Sequence, residues 1–92
     1  MLESRAGVIV CEHVAELGLP VLRAVRDEPV RAEDSGWQFL CGGKGDEPIK
    51  RAKLWLVREI LEAEPSLAPW LDAPVGTVLT RRDKADEWRR VV

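Results

Sequence analysis

The clearest strand signal in the chain reads Glu33-Asp34-Ser35-Gly36-Trp37-Gln38-Phe39-Leu40-Cys41. Trp37, Phe39 and Cys41 alternate with Gln38 and Leu40, and a period of two places successive side chains on opposite faces of a sheet. Aromatic residues favour strands, so this stretch predicts a strand whose aromatic face packs in the core. The glycines that follow Cys41 end the strand.

The residues before this strand predict two more strands and a helical turn. Residues 6–11 form a continuous apolar run with three β-branched residues, which is typical of a strand covered on both faces, and we expect it to be central. Residues 12–17 predict a short helical turn that Gly18 and Pro20 end. The alternation that begins at Val21 predicts the second strand.

The residues after it predict the main helix and two further strands. Apolar residues recur at spacings of three and four over residues 48–63, which predicts a helix that begins at a proline preceded by acids and ends before Pro65. Alternating patterns over residues 75–80 and 87–92 predict a fourth and a fifth strand.

The length and composition are those of one globular unit. Ninety-two residues, of which 46% are hydrophobic and 33% charged, suffice for one core. We predict a single α+β domain over residues 1–92, with a mostly antiparallel sheet of about five strands and the main helix on one face. No apolar run approaches the roughly 18 residues of a membrane span, and the start lacks a signal-peptide layout, so we expect a cytoplasmic protein.

Charge is unevenly distributed although the formal net charge is only −2. Residues 27–47 carry six acids and two bases, whereas residues 81–90 carry five bases and three acids. Each run is either a solvated face or a surface that attracts a charged partner. The negative net charge and the acids interleaved in the basic tail argue against nucleic-acid binding.

The side chains capable of chemistry are few. His13 is the only histidine and tyrosine is absent. Cys11 and His13 have the residue types of a nucleophile and its base, and with Cys41 they have those of zinc ligands, with Glu12 or Glu16 as a fourth. The chain has no C-x-x-C pair to present two thiolates together and no group that would orient the histidine. We therefore interpret both cysteines as reduced core thiols and His13 as a partly exposed residue at a strand end.

Two other kinds of site are excluded by spacing. The glycines at 42, 43 and 45 match no phosphate-binding loop, and the acids around them lack the ligand spacing of a calcium loop. We predict no catalytic residue, no cofactor and no metal.

Two motifs, taken together, resemble the immunity protein 33-like family. They are Asp34-Ser35-Gly36-Trp37 and Leu71-Asp72-Ala73-Pro74-Val75-Gly76. The opening strand Val8–Cys11 and the turn Arg26–Pro29 extend the resemblance over nearly the whole chain. It implies a bacterial α+β domain that acts in immunity against polymorphic toxins, and it supplies no established catalytic residue.

The motif residues also have a structural interpretation, which stays open beside the functional one. Turn and core geometry alone can account for Ser35, Gly36, Trp37, Pro74 and Gly76. In the functional interpretation a partner docks on an acidic surface with a tryptophan as its apolar anchor. That surface comprises Asp27, Glu28, Glu33, Asp34 and Asp72, with Asp46 and Glu47 adding to the field and Trp55 or Trp70 as the anchor.

The leading hypothesis is a non-catalytic protein that binds and neutralises a cognate toxin. Acid-rich loops suit a toxin with a basic cleft, because complementary charge speeds encounter. The alternative is a small regulatory or accessory domain that binds another protein, or itself as a homodimer through an exposed strand edge.

Overall fold

The computed structural model describes residues 4–29, 33–42 and 52–91. Six strands form one sheet: β1 (Gly7–Val10), β2 (Arg23–Arg26), β3 (Asp34–Leu40), β4 (Lys53–Leu56), β5 (Val78–Thr80) and β6 (Arg89–Arg90). The helical elements are α1 (Glu12–Leu17), α2 (Val57–Ala63) and a 3₁₀ helix (Pro65–Trp70). Among these described residues no helix has the length and apolar character needed to span a membrane.

The strand order is β4-β1-β3-β2-β5-β6. Strands β1 and β3 are parallel, and the other four neighbouring pairs are antiparallel. The predicted α+β class with a mostly antiparallel sheet is therefore confirmed, with six strands in place of about five. Strand β1 is internal, as its apolar run predicts, but β3 and β2 occupy the middle of the sheet.

The predicted helix over residues 48–63 is wrong at its start. Residues 53–56 form β4, which pairs with β1, and α2 begins only at Val57. Residues 48–51 lie outside the described residues, as do Asp46 and Glu47. The error has a physical cause: Leu54 and Leu56 fit the period of a strand as well as that of a helix, and pairing with β1 decides between the two.

The last two strands are shorter than predicted. Strand β5 takes only Val78–Thr80 of the predicted 75–80, because residues 75–77 belong to a turn. Strand β6 takes Arg89–Arg90 of the predicted 87–92, and Val92 lies outside the described residues.

One face of the sheet carries the core. Trp37 and Phe39 are fully buried there and stack with ring centroids 5.6 Å apart. Helices α1 and α2 and the 3₁₀ helix supply Val14, Ile60 and Leu67 to the same core. On the other face Ile9 lies opposite Leu54 and Gly7 opposite Leu56.

Strand direction decides which residues lie at each end of the sheet. Because β1 and β3 are parallel, both begin at one end, where antiparallel β2 and β4 finish. Gly7, Arg26, Asp34 and Leu56 therefore lie at that end. The residues that follow β1 and β3 and those that precede β2 lie at the opposite end.

Candidate partner-binding surface

Asp34–Trp37, the bulged start of β3, is held against β1 by side-chain hydrogen bonds. The backbone N–H of Gly36 donates to Asp34 Oδ1 at 3.0 Å. Ser35 Oγ donates to the carbonyl oxygen of Gly7 at 2.6 Å and accepts from the N–H of Trp37 at 3.1 Å. Each polar side chain thus bonds backbone groups at the register shift between β1 and β3, where the regular ladder is interrupted.

Gly36 also brings β3 against the end of β2. Its φ is +83°, and a Cβ placed on it would lie 2.0 Å from the carbonyl oxygen of Asp27. The N–H of Asp27 donates to the Gly36 carbonyl at 2.8 Å, while Asp27 Oδ2 accepts from Gln38 Nε2 at 2.8 Å. Only glycine allows so close an approach of the two backbones.

Arg26 and Trp37 connect the start of β3 to the second sequence motif, residues 71–76. Arg26 donates through Nε to the carbonyl of Ser35 at 3.0 Å and through Nη1 to those of Leu71 and Ala73 at 3.2 and 2.8 Å. Trp37 Nε1 donates to the Leu71 carbonyl at 2.9 Å. The two motifs, separate in sequence, therefore form one structure. Arg26 was missed at the sequence level, because its position in an alternating strand does not reveal that it bonds distant carbonyls.

The rest of the second motif turns the chain into β5. The N–H and the hydroxyl of Thr77 donate to the Pro74 carbonyl at 3.1 and 2.7 Å. Gly76 has a φ of +96° and donates its N–H to the Arg26 carbonyl at 2.7 Å. Pro74 and Gly76 thus shape the approach to the strand.

These contacts gather the predicted acids at one end of the sheet. Asp27, Glu28, Glu33 and Asp72 are exposed there, and Asp34 is half-buried. We name this set of five the acidic end. Asp46 and Glu47, predicted to add to the same field, lie outside the described residues.

A groove opens beside two of these acids, on the sheet face away from the core. It encloses about 340 Å³ and is lined by Arg5, Gly7, Ile9, Glu33, Asp34, Leu54 and Leu56. Leu54 is 77% exposed, which is unusual for a leucine in a strand. The groove therefore combines an exposed apolar side chain with two acids, Glu33 and Asp34, and one base, Arg5; we name it the acidic groove.

The comparison with protein families decides what this arrangement belongs to. The model of the Immunity protein Imm33 domain matches residues 8–92. The chain belongs to the Imm33 family. Membership implies a toxin-neutralising role in general, by binding a cognate toxin, in a family that is generally non-catalytic. No curated protein and no solved structure gives a significant match.

The tryptophans predicted as anchors lie away from the acidic groove of this Imm33 domain. Trp55 is half-buried and lies opposite Val8, on the core face of the sheet. Trp70 is half-buried against the core and lines a second groove beside Arg81 and Trp88. The apolar side chain that lies beside the acids is instead Leu54. The predicted helix did not indicate that Leu54 would be exposed there.

The outer edge of β4 is partly closed. The N–H of Val57 donates to the Ala6 carbonyl, so by the alternation of an antiparallel ladder the N–H groups of Leu54 and Leu56 point away from β1. That of Leu56 donates to Glu59 Oε1 at 2.9 Å. Within β4 this leaves Leu54 to offer an outward donor to an added strand.

At the opposite end, the Imm33 domain buries an ion pair. Arg81 Nη2 lies 2.8 Å from Glu64 Oε1, and the two side chains are 1% and 5% exposed. Both groups also bond the backbone of Val21, Arg81 through Nε at 2.9 Å and Glu64 Oε2 at 3.0 Å. The guanidinium lies 4.3 Å from the centroid of Trp88. Arg81, predicted to belong to a solvated or partner-binding basic run, is instead a core residue.

The Cys11, His13 and Cys41 side chains also meet at this opposite end. Both cysteines are buried thiols, as predicted. His13 is half-buried in α1 rather than at a strand end, and its Nδ1 lies 3.6 Å from Cys41 Sγ. None of the three lines the acidic groove or the groove beside Trp88.

Proposed function

We propose that this Imm33 domain neutralises its toxin by binding alone, and that the acidic groove and the acidic end form the docking surface. The observation that carries the proposal is the position of Leu54, which is 77% exposed beside Glu33 and Asp34. The fitting partner is a toxin domain whose substrate cleft is basic and presents an apolar side chain.

Preorganisation supports this choice of surface. Gly36, Ser35 and Arg26 fix the backbone that carries the acids, so little conformational entropy is lost when a partner binds. Glu33 is exposed, so its charge acts on an approaching partner without the desolvation cost of a buried carboxylate.

The acidic and apolar parts of the surface have different roles. Exposed acids raise the association rate with a basic partner, and salt screens the effect over a Debye length of about 8 Å. Burial of a leucine contributes roughly 1.5–3 kcal/mol and mainly slows dissociation. A toxin cleft held in this way would be closed to its substrate, with no chemistry required of the immunity protein.

The test uses a toxin domain that the wild-type chain neutralises, co-expressed with the chain in a growth-rescue assay. Leu54→Asp should abolish rescue, because a charge replaces the apolar anchor. The matched control is Leu17→Asp, since Leu17 is 69% exposed but lies in α1. Equal rescue by both variants, at equal soluble protein levels, contradicts the proposed surface.

A further inference from the structure

We propose that Cys11, His13 and Cys41 form a binding site for a Zn²⁺-type cation, with water as the fourth ligand. The site is independent of the acidic groove and of toxin binding. Its ligand atoms, two Sγ and one imidazole nitrogen, all lie within 4.8 Å of one another. Thiolate and imidazole are the ligands that zinc prefers.

The fold, and not a sequence motif, brings the three residues together. Cys11 follows β1 and Cys41 follows β3, and these strands are parallel neighbours, so their carboxyl ends meet at one end of the sheet. The N–H of Cys11 donates to the Phe39 carbonyl at 2.9 Å, which fixes one strand end against the other. His13 enters from the first turn of α1. The prediction of no metal rested on the missing C-x-x-C pair, which a site assembled by the fold does not require.

The distance between ligand atoms fits tetrahedral coordination. With Zn–S bonds of about 2.3 Å and Zn–N bonds of about 2.0–2.1 Å, tetrahedral angles place sulfur and nitrogen about 3.5 Å apart. Cys41 Sγ and His13 Nδ1 are 3.6 Å apart. The same distance also fits a thiol–imidazole hydrogen bond, so the experiment must separate the two.

The two thiols are buried, which favours a cation that thiolates hold firmly, and the partly exposed His13 gives solvent access to the site. Cys11 and Cys41 are 2% and 9% exposed, whereas His13 is only half-buried. The exposed side at His13 is the entry path and the position of the fourth ligand. Glu16, a predicted alternative for that ligand, has its Oε1 3.2 Å from Lys53 Nζ.

Binding must displace the thiol protons. Each cysteine coordinates as thiolate, so each metal ion bound should release up to about two protons to solvent while the imidazole binds in its neutral form. No electron is transferred, and no oxidant is needed. The bound ion would join the end of β1 and the start of α1 to the end of β3.

The experiment titrates the reduced full chain with Co²⁺, and separately with Zn²⁺, without oxygen. We expect saturation at one ion per chain, sulfur-to-cobalt charge-transfer bands, and the intense visible bands of tetrahedral cobalt. Zn²⁺ at 100 times its dissociation constant should raise the melting temperature by about 10 °C or more.

Single variants Cys41→Ser and His13→Gln provide the specificity test, with Glu16→Gln as the matched control. All are first melted in EDTA to establish that each folds. At saturation Cys41→Ser should lose about half of the charge-transfer intensity, because one of the two thiolates remains. Both site variants should weaken Co²⁺ binding at least 10-fold, whereas Glu16→Gln should bind normally. The proposal is overturned if the reduced wild-type chain shows no charge-transfer band. It is overturned equally if folded Cys41→Ser binds Co²⁺ like wild type.

Discussion

The two ends of the sheet handle charge in opposite ways. Each end has an arginine over a tryptophan, Arg26 over Trp37 and Arg81 over Trp88. Arg81 is paired with the buried carboxylate of Glu64. The acidic end, in contrast, keeps four of its five carboxylates exposed. The buried Arg81–Glu64 pair therefore serves folding, whereas the exposed carboxylates of the acidic end are the groups that we propose bind a partner.

The largest effect should come from breaking the buried ion pair. Glu64→Gln leaves the Arg81 guanidinium buried without its counter-charge, and we expect a loss of about 3–5 kcal/mol in the free energy of unfolding. Urea denaturation measures it. Glu62→Gln, an exposed change in the last turn of α2, two residues from Glu64, should stay within about 0.5 kcal/mol of wild type. A loss below about 1 kcal/mol for Glu64→Gln would mean that the buried ion pair contributes little to folding.

At the acidic end, we expect the stability of the fold to depend on backbone geometry more than on charge. Gly36→Ala places a Cβ 2.0 Å from the Asp27 carbonyl at a φ of +83°, and we expect a loss of roughly 3 kcal/mol or more. Gly18→Ala is the matched control, because Gly18 also has positive φ but nothing lies within 4 Å of its Cβ position. Its cost should be about 1–2 kcal/mol. Equal costs for the two variants would mean that the close approach of β3 to Asp27 is unimportant.

Substitutions of Asp34 separate the effect of its charge on association from the effect of its hydrogen bond on stability. Its Oδ1 accepts the Gly36 N–H, so Asp34→Ala should lower stability by about 1 kcal/mol, whereas Asp34→Asn, which retains an acceptor, should cost less. Both variants remove the negative charge, and both should slow association with a basic toxin domain. Stopped-flow association rates and thermal melts check the two effects independently.

The smallest expected effect concerns Asp86, in the turn before β6. The Arg82 N–H and the Arg89 guanidinium hold the pKa of Asp86 well below its ordinary value. A lowered pKa in the folded state stabilises the protein above the ordinary value of 3.8, and this contribution is lost as the pH falls further. Asp86→Asn should therefore be slightly less stable than wild type at pH 7, with the difference shrinking below about pH 4. A difference independent of pH would contradict the assignment.

The local sequence pattern predicts much of this fold but little of the proposed binding surface. The alternation around Trp37 predicts β3, and four of the five acids predicted to form a binding surface are exposed. Leu54 is different: its spacing fits a helix equally well, and only pairing with β1 turns it outward. Arg81 reads as a tail residue because its partner, Glu64, is distant in sequence. Long-range contacts cannot be deduced from local period or charge.

The affinity of Glu33→Lys for a toxin domain that the wild-type chain neutralises tests most directly whether the acidic groove binds a basic toxin surface. Calorimetric titration at low and high salt is the measurement, with Glu62→Lys as an exposed charge-reversal control. We expect Glu33→Lys to weaken binding about 10-fold at low salt and less at high salt, with an unchanged melting temperature. Wild-type affinity for folded Glu33→Lys, or equal weakening by Glu62→Lys, would contradict the claim.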